Sequence, residues 1–501
     1  MMPSGTKVKK LLPVNAQVIL ALIVIAGFLD VIDFSIVQVA LPTIRAEFAV
    51  SLANSQWIVA AYGLTLAGFL MLSGRAGDVY GRKKLFLIGL VIFTASSLAG
   101  GLAPSEFILV AARAVQGIGA AISSAIAFSI LVATFPEGKA RNRALGVFTA
   151  VLSAGFATGS ILGGFLTSAF GWRSVLFVNV PIGIAAIVLS MYFLHEGARE
   201  GAVQKHLDIP GAITITGGLL LFVYALTNAS SNGLFSQSAI IPLALSIVLL
   251  AGFVVIETRS KAPLIQFSFF RRGAILHANI IGVLLSAAAT GMIFLLTIYL
   301  QQTLGYSPLD AGLSFLPAAI IFFVVGGWVS SALVNRFGVK RVLVASMAMI
   351  TLGFGVLSQV SVGEGYIGVL VGMVIFSLGA SVSFTALNIA GLAGTKHGEE
   401  GLASGILNTS QRIGGPIGLA VLVTIATWQT NVLLAKGVAS SAAVVGGFQY
   451  AFVTATALSA LGVLVALMIS GKMPVPPMKE MMLDEGLVDR GMGITSPVIE
   501  E

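Results

Sequence analysis

Cysteine is absent from this 501-residue chain, which excludes disulfides, thiolate nucleophiles and cysteine-ligated metals. Charged residues make up only 10%, where a soluble protein carries about 25%. Of the four histidines, His195, His206 and His277 sit near the ends of apolar runs and form no ligand cluster, so a metal site is not expected. Phosphate-binding loops are missing as well: Gly138-Lys139 and Gly471-Lys472 lack both the spacing and the following hydroxyl of G-x-x-x-x-G-K-[ST]. No H-E-x-x-H or G-x-S-x-G string occurs. The chain therefore reads as not an enzyme, with no cofactor, and any uphill work must draw on an ion gradient such as that of protons.

What is present is apolar. Hydrophobic residues make up 57% and mean hydropathy is +1.00. Runs long enough to cross a hydrocarbon core of about 30 Å as helices recur throughout. The pattern predicts an all-α polytopic membrane protein of fourteen spans, near 16–41, 54–73, 85–103, 105–133, 144–168, 174–194, 208–228, 238–257, 274–300, 309–333, 342–360, 364–390, 402–430 and 446–470. The first run holds two acids and ends in Leu-Pro, so it reads as a permanent span and not a cleaved signal.

Basic residues set the orientation. If the N-terminus is cytoplasmic, 23 of the 28 Lys and Arg fall in inner segments. The outer loops keep only Arg45, Arg173 and Lys436, and Arg113 and Arg412 lie within spans. That asymmetry is the positive-inside signature. It places both termini in the cytoplasm of a plasma (cell inner) membrane and makes the +8 net charge a topology signal, with no nucleic-acid partner. Trp57, Trp172 and Trp428 fall at outer span ends and read as interfacial anchors.

An internal repeat organises the chain. Gly74-Arg-Ala-Gly-Asp78-Val-Tyr-Gly81-Arg82-Lys-Lys84 and Ser331-Ala-Leu-Val-Asn335-Arg-Phe-Gly338-Val-Lys-Arg341 align at an offset of 257 residues. A parallel duplication of a six-span unit follows, with room for two additional spans between the halves. The expected segments are a cytosolic tail at 1–15, a six-helix half at 16–195 and a linker with two extra spans at 196–272. A second six-helix half at 273–470 and a cytosolic tail at 471–501 complete the chain.

Two carboxylates, Asp30 and Asp33, lie inside the first span. An acid at bilayer depth costs about 2.5 kcal/mol or more and usually lines a polar path. Counting about 1.5 Å per residue puts Asp33 and Arg113 roughly 12 Å below the same surface, so they are natural partners. A nearby guanidinium favours the charged carboxylate, and separation favours protonation. The pair reads either as a coupling switch for protons or as a permanent ion pair that fixes helix packing. Asp30, nearer the midplane, either assists Asp33 or is itself the main carrier. Arg412 has no acid of matching depth in the second half, and either meets an anionic ligand group or caps carbonyls near Pro416. Span five carries Gly155, Gly159, Gly163 and Gly164, a smooth stripe for close helix approach between the halves.

Several strings together resemble the major facilitator superfamily, in its fourteen-span drug:proton antiporter branch. They are the Gly74–Lys84 segment and Arg113 with its neighbours. Asp33-Phe-Ser-Ile-Val-Gln38-Val-Ala-Leu-Pro42, Gly171-Trp-Arg-Ser-Val-Leu-Phe-Val-Asn179-Val-Pro181 and Ser307-Pro-Leu-Asp-Ala-Gly complete the set. Gln38 stands where asparagine is usual, and Ser160 where the antiporter signature has proline. The resemblance implies a major facilitator fold and export of an amphipathic small molecule in exchange for protons, by alternating access. It implies a latch at Gly74, Asp78, Gly81 and Arg82 that holds the halves together; Arg412 and Gln38 are further candidates for substrate or coupling roles. Membrane lipid is the other expected partner, and the chain is expected to be a monomer. An exporter or flippase of a lipid or metabolite is the alternative, and a non-transporting receptor or structural protein a further one. No extra acid is visible in a late span, which disfavours a dicationic substrate.

Overall fold

The computed structural model describes residues 14–135, 139–194, 207–233, 235–260, 263–265, 267–271, 274–361, 363, 365–393, 395 and 400–469. His195, His206 and the two tails beyond residues 14 and 469 lie outside the described residues. The N-terminal half comprises α1 (Val14–Glu47), α2 (Leu52–Ser55), α3 (Trp57–Tyr80), α4 (Arg82–Gly101), α5 (Glu106–Thr134), α6 (Lys139–Phe170), α7 (Ser174–Phe177) and α8 (Asn179–Phe193). A hairpin of α9 (Ile209–Asn232) and α10 (Gln237–Arg259) follows. The C-terminal half comprises α11 (Ile275–Ile298), α12 (Pro308–Ser314), α13 (Leu316–Val324), α14 (Ser330–Phe337), α15 (Val339–Leu357), α16 (Gly365–Leu392), α17 (Glu400–Ala435) and α18 (Ser440–Met468).

Twelve of the described helical segments are long and apolar enough to cross a membrane. Two further stretches stand outside that set: α6, and the run from Pro308 to Phe337. The latter is broken at Phe315 and again by a π turn over Val325–Val329. Elsewhere local chemistry sets the helix starts. Ser105 caps α5, Asp208 caps α9, and Ser307 with Asp310 forms a reciprocal capping box on α12.

The duplication is visible in the backbone. Gly81 (φ 104°, ψ 130°) ends α3 and starts α4, and Gly338 (φ 81°, ψ 154°) does the same between α14 and α15. Only glycine takes that positive φ without strain. The packing repeats too. Helix α6 lies along α1 and α17 along α11, with Gly414 and Gly418 set against the α11 backbone at Val283 and Ala287. Across the halves, α3 meets α17, where a Cβ on Gly63 would lie 2.6 Å from Pro416, and α12 meets α6. The α9–α10 hairpin covers the α3–α17 seam, with Thr216 against Gly68 and Thr227 accepting from Gln56 Nε2 at 2.9 Å.

The halves are tied together at the face that carries the α1–α2 connection. Arg45 donates to Gln302 Oε1 at 2.8 Å, Gln301 donates to the Val39 carbonyl at 2.8 Å, and the Leu309 amide donates to Ser168 Oγ at 3.2 Å. Toward the opposite face, which carries Gly81 and Gly338, α5 and α16 pack chiefly within their own halves.

Two expectations change here. Trp172 is not an interfacial anchor: it is 2% exposed, donates to Glu47 Oε2 at 2.6 Å and meets Phe48 edge-on, with the Arg173 guanidinium over its ring. Trp428, 51% exposed, does face outward. The glycine stripe also works mostly within one half. Gly155, Gly159 and Gly163 accommodate Val31, Ser35 and Ile36 of α1, and only Gly164 reaches across, to Pro308 and Leu309. Successive stripe glycines share one helix face, whereas Gly164 sits about 100° further round.

Candidate functional site

Along α1, Asp30 and Asp33 point to different neighbours. Asp33 is fully buried and held entirely by its own half. Arg113 Nη1 donates to its Oδ2, Gln116 Nε2 donates to Oδ1 at 2.9 Å, and Asn179 Nδ2 donates to Oδ1 at 2.7 Å. Arg113, itself 1% exposed, also donates from Nε to the Ile58 carbonyl at 3.1 Å and from Nη1 to Gln116 Oε1 at 2.8 Å. Its guanidinium lies over the Tyr62 ring, 4.2 Å from the centroid, a geometry that favours a cation.

Tyr62 passes the network on. Its hydroxyl donates to Asp30 Oδ1 at 2.5 Å, and Asp30 Oδ2 accepts from Arg412 Nη2 at 2.7 Å. Arg412 comes from α17, so this ion pair spans the two halves, 382 residues apart in sequence. Asp30 is 3% exposed, whereas the Arg412 side chain is 29% exposed and donates from Nε to Asn408 Oδ1 at 3.1 Å. Asn408 is exposed and lies one turn toward the Gly81 face. Two acids and two arginines thus form one charge-balanced chain, from a sealed end at Asp33 to a wetted end at Asn408. Each charge would be expensive alone at this depth, and here each is paired.

The remaining sequence candidates sit elsewhere. Gln38 is 1% exposed, and neither amide atom has a partner among the described residues. Asp78 and Arg82 pair with each other at 3.1 Å across one turn, half exposed, within one half. Gly74 faces only Ala125, at ordinary contact distance. Glu257 accepts the Leu264 and Ile265 amides, and Asp310 serves the α12 cap. Among the described residues no three His, Asp or Glu gather in a way that would hold a metal.

Sequence reasoning left three network members without a role: Tyr62, Gln116 and Asn179. All are buried, and Asn179 is one of the polar residues of the Gly171–Pro181 segment.

The sequence and the architecture match known proteins. Residues 23–419 match the Major Facilitator Superfamily. The chain belongs to that superfamily. Accordingly it is a membrane transporter and not an enzyme. The cephamycin export protein CmcT of Amycolatopsis lactamdurans is 38% identical over 413 residues, 82% of this chain and 85% of that protein. The multidrug resistance protein Stp of Mycobacterium tuberculosis is 35% identical over 407 residues, 81% and 75% of the two chains. Among solved structures, a bacterial homologue of the human lysosomal transporter Spinster shares the fold, with a TM-score of 0.63 at 16% identity over 93% of this chain and 98% of that one.

Proposed function

We propose that this transporter is a proton-coupled antiporter of the plasma membrane that exports amphipathic drugs or similar small molecules by alternating access. The observation that carries the reading is the Asp33–Arg113–Tyr62–Asp30–Arg412 network, which joins a buried acid to an ion pair bridging the halves. Export of cephamycin and multidrug resistance, named for its relatives, supports the substrate class.

Fourteen crossings are reached when α6 and the Pro308–Phe337 run are counted with the other twelve. The basic clusters then put the Gly81 face and both termini in the cytoplasm, and the chain works as a monomer in lipid. The contacts at the α1–α2 face make this conformation closed outward and wetted inward.

Asp33 carries the proton as the fully buried acid at the sealed end of the network, and takes it while Gln116 and the Ile58 carbonyl keep hold of Arg113. Asp30 and Arg412 act as a strut between halves. A proton or a substrate cation that neutralises Asp30 removes the attraction and lets the halves rock. Asp78 and Arg82 latch the Gly81 face in the opposite conformation. Gln38 takes a partner when the outer face opens.

Asp33→Asn tests the reading in proteoliposomes loaded with ethidium under an imposed pH gradient. Ethidium-dependent proton movement is expected to vanish while ethidium binding stays within a few-fold. Proton movement at the wild-type rate would overturn it.

A further inference from the structure

Asn179 contributes nothing to charge balance, yet it holds the acid that matters most. It is the first residue of α8 and 0% exposed. Its Nδ2 donates to Asp33 Oδ1 at 2.7 Å and to Ser97 Oγ at 3.1 Å. Ser97 Oγ spends its own proton on the Leu176 carbonyl at 2.9 Å, which leaves it an acceptor toward the amide. The other end of the same amide, Oδ1, is buried with no partner among the described residues. A buried oxygen without a donor has lost its water and gained nothing in return.

That unpaired oxygen has a use once Asp33 changes state. As a carboxylate, Asp33 needs donors, and Arg113, Gln116 and Asn179 supply three. As an acid, it carries a new O–H that needs an acceptor. Arg113 survives the change, because Gln116 Oε1 and the Ile58 carbonyl keep hold of it. Among the groups bonded to Asp33, Asn179 Oδ1 is the acceptor with no other duty.

We infer that Asn179 is a positioning residue for proton exchange, an amide that serves both states of Asp33 by turning about its Cβ–Cγ bond. When a proton adds to Asp33 Oδ1, the amide turns, both Nδ2 hydrogen bonds (to Asp33 Oδ1 and to Ser97 Oγ) break, and the new Asp33 O–H donates to the Asn179 oxygen. Loss of the proton reverses these changes. This rests on the assignment of Asp33 as proton carrier. A merely structural Asn179 would tie α8 to α1 without affecting titration.

Full-length protein in lipid vesicles, without drug, is titrated by acid-minus-neutral infrared difference spectroscopy. Wild type is expected to show a carboxylic-acid band appearing together with a shifted side-chain amide carbonyl. Asp33→Asn removes the Asp33 component of that band and leaves the part owed to Asp30 and the other carboxyl groups; an undiminished band would defeat the proton-carrier assignment, and this inference with it. Asn179→Leu, similar in volume but lacking donor and acceptor, keeps the band, alters its frequency and moves its midpoint by about one pH unit. Asn179→Ser, which keeps a hydroxyl on a shorter side chain, moves it by about half a unit and serves if the leucine variant does not fold. An unchanged midpoint and frequency in the leucine variant, or in the serine variant if leucine fails, alongside a band diminished in Asp33→Asn, would overturn the role of Asn179.

Discussion

Consider removing the guanidinium that joins the halves. In Arg412→Gln, Asp30 keeps only the Tyr62 hydroxyl, and it is 3% exposed. Breaking a fully buried ion pair costs about 3–5 kcal/mol. Arg412 is 29% exposed, so solvent screening pulls the expected figure toward about 1–2 kcal/mol. If the pair holds only the conformation closed at the α1–α2 face, its loss shifts the closed-to-open ratio about 5–30-fold. The absence of native cysteine makes the measurement clean. Cysteines placed at Ser168 and Leu309, which touch across that face, report closure through cross-linking yield. The pair is examined in wild type, Arg412→Gln, Asp30→Asn and the double variant. Each single change should lower the closed fraction, and the double should be no worse than either single. Strictly additive effects, with coupling below about 0.3–0.5 kcal/mol, would refute the strut.

Three further outcomes follow from glycines. Gly81→Ala forces a side chain into φ 104° at a cost of about 1–2 kcal/mol; it should lower the thermal midpoint in detergent, as should Gly338→Ala in the repeated turn, while unchanged midpoints would contradict the shared turn. Gly418→Val puts a Cβ 2.2 Å from the Ala287 Cα and should destabilise by about 1–3 kcal/mol or more, read as loss of monodisperse protein on size exclusion. Gly405→Ala meets nothing within 4 Å on the same helix and should be neutral or stabilising by about 1 kcal/mol.

How far the site could be read in advance depended on where depth was counted from. Asp33 and Arg113 were both measured from one surface, within one half, so their equal depth pointed to contact. Arg412 was matched only against acids of its own half, which hid Asp30 as its partner. Asn179, Gln116 and Tyr62 carry no charge, so their burial raised no energetic alarm in the sequence. The breaks in the Pro308–Phe337 run follow the same logic: Phe315 and Val325–Val329 are apolar, and hydropathy is blind to a change in helical hydrogen bonding. Trp172 was misplaced because a loop-end tryptophan gives no hint that Glu47 will claim its indole N–H. The turn at Gly81 and its copy at Gly338 were legible, since a positive φ narrows the choice to one residue.

The contact between Arg45 and Gln302 joins positions that differ by 257 residues, the spacing of the duplication itself. Equivalent points of two copies can meet only on the axis that relates them. A residue there faces its own counterpart, so two faithful copies would have set guanidinium against guanidinium. Having an arginine in one copy and an amide in the other turns a mutual repulsion into a bond. Gene fusion is what permits that difference, because a dimer of identical chains must keep the same side chain at both places.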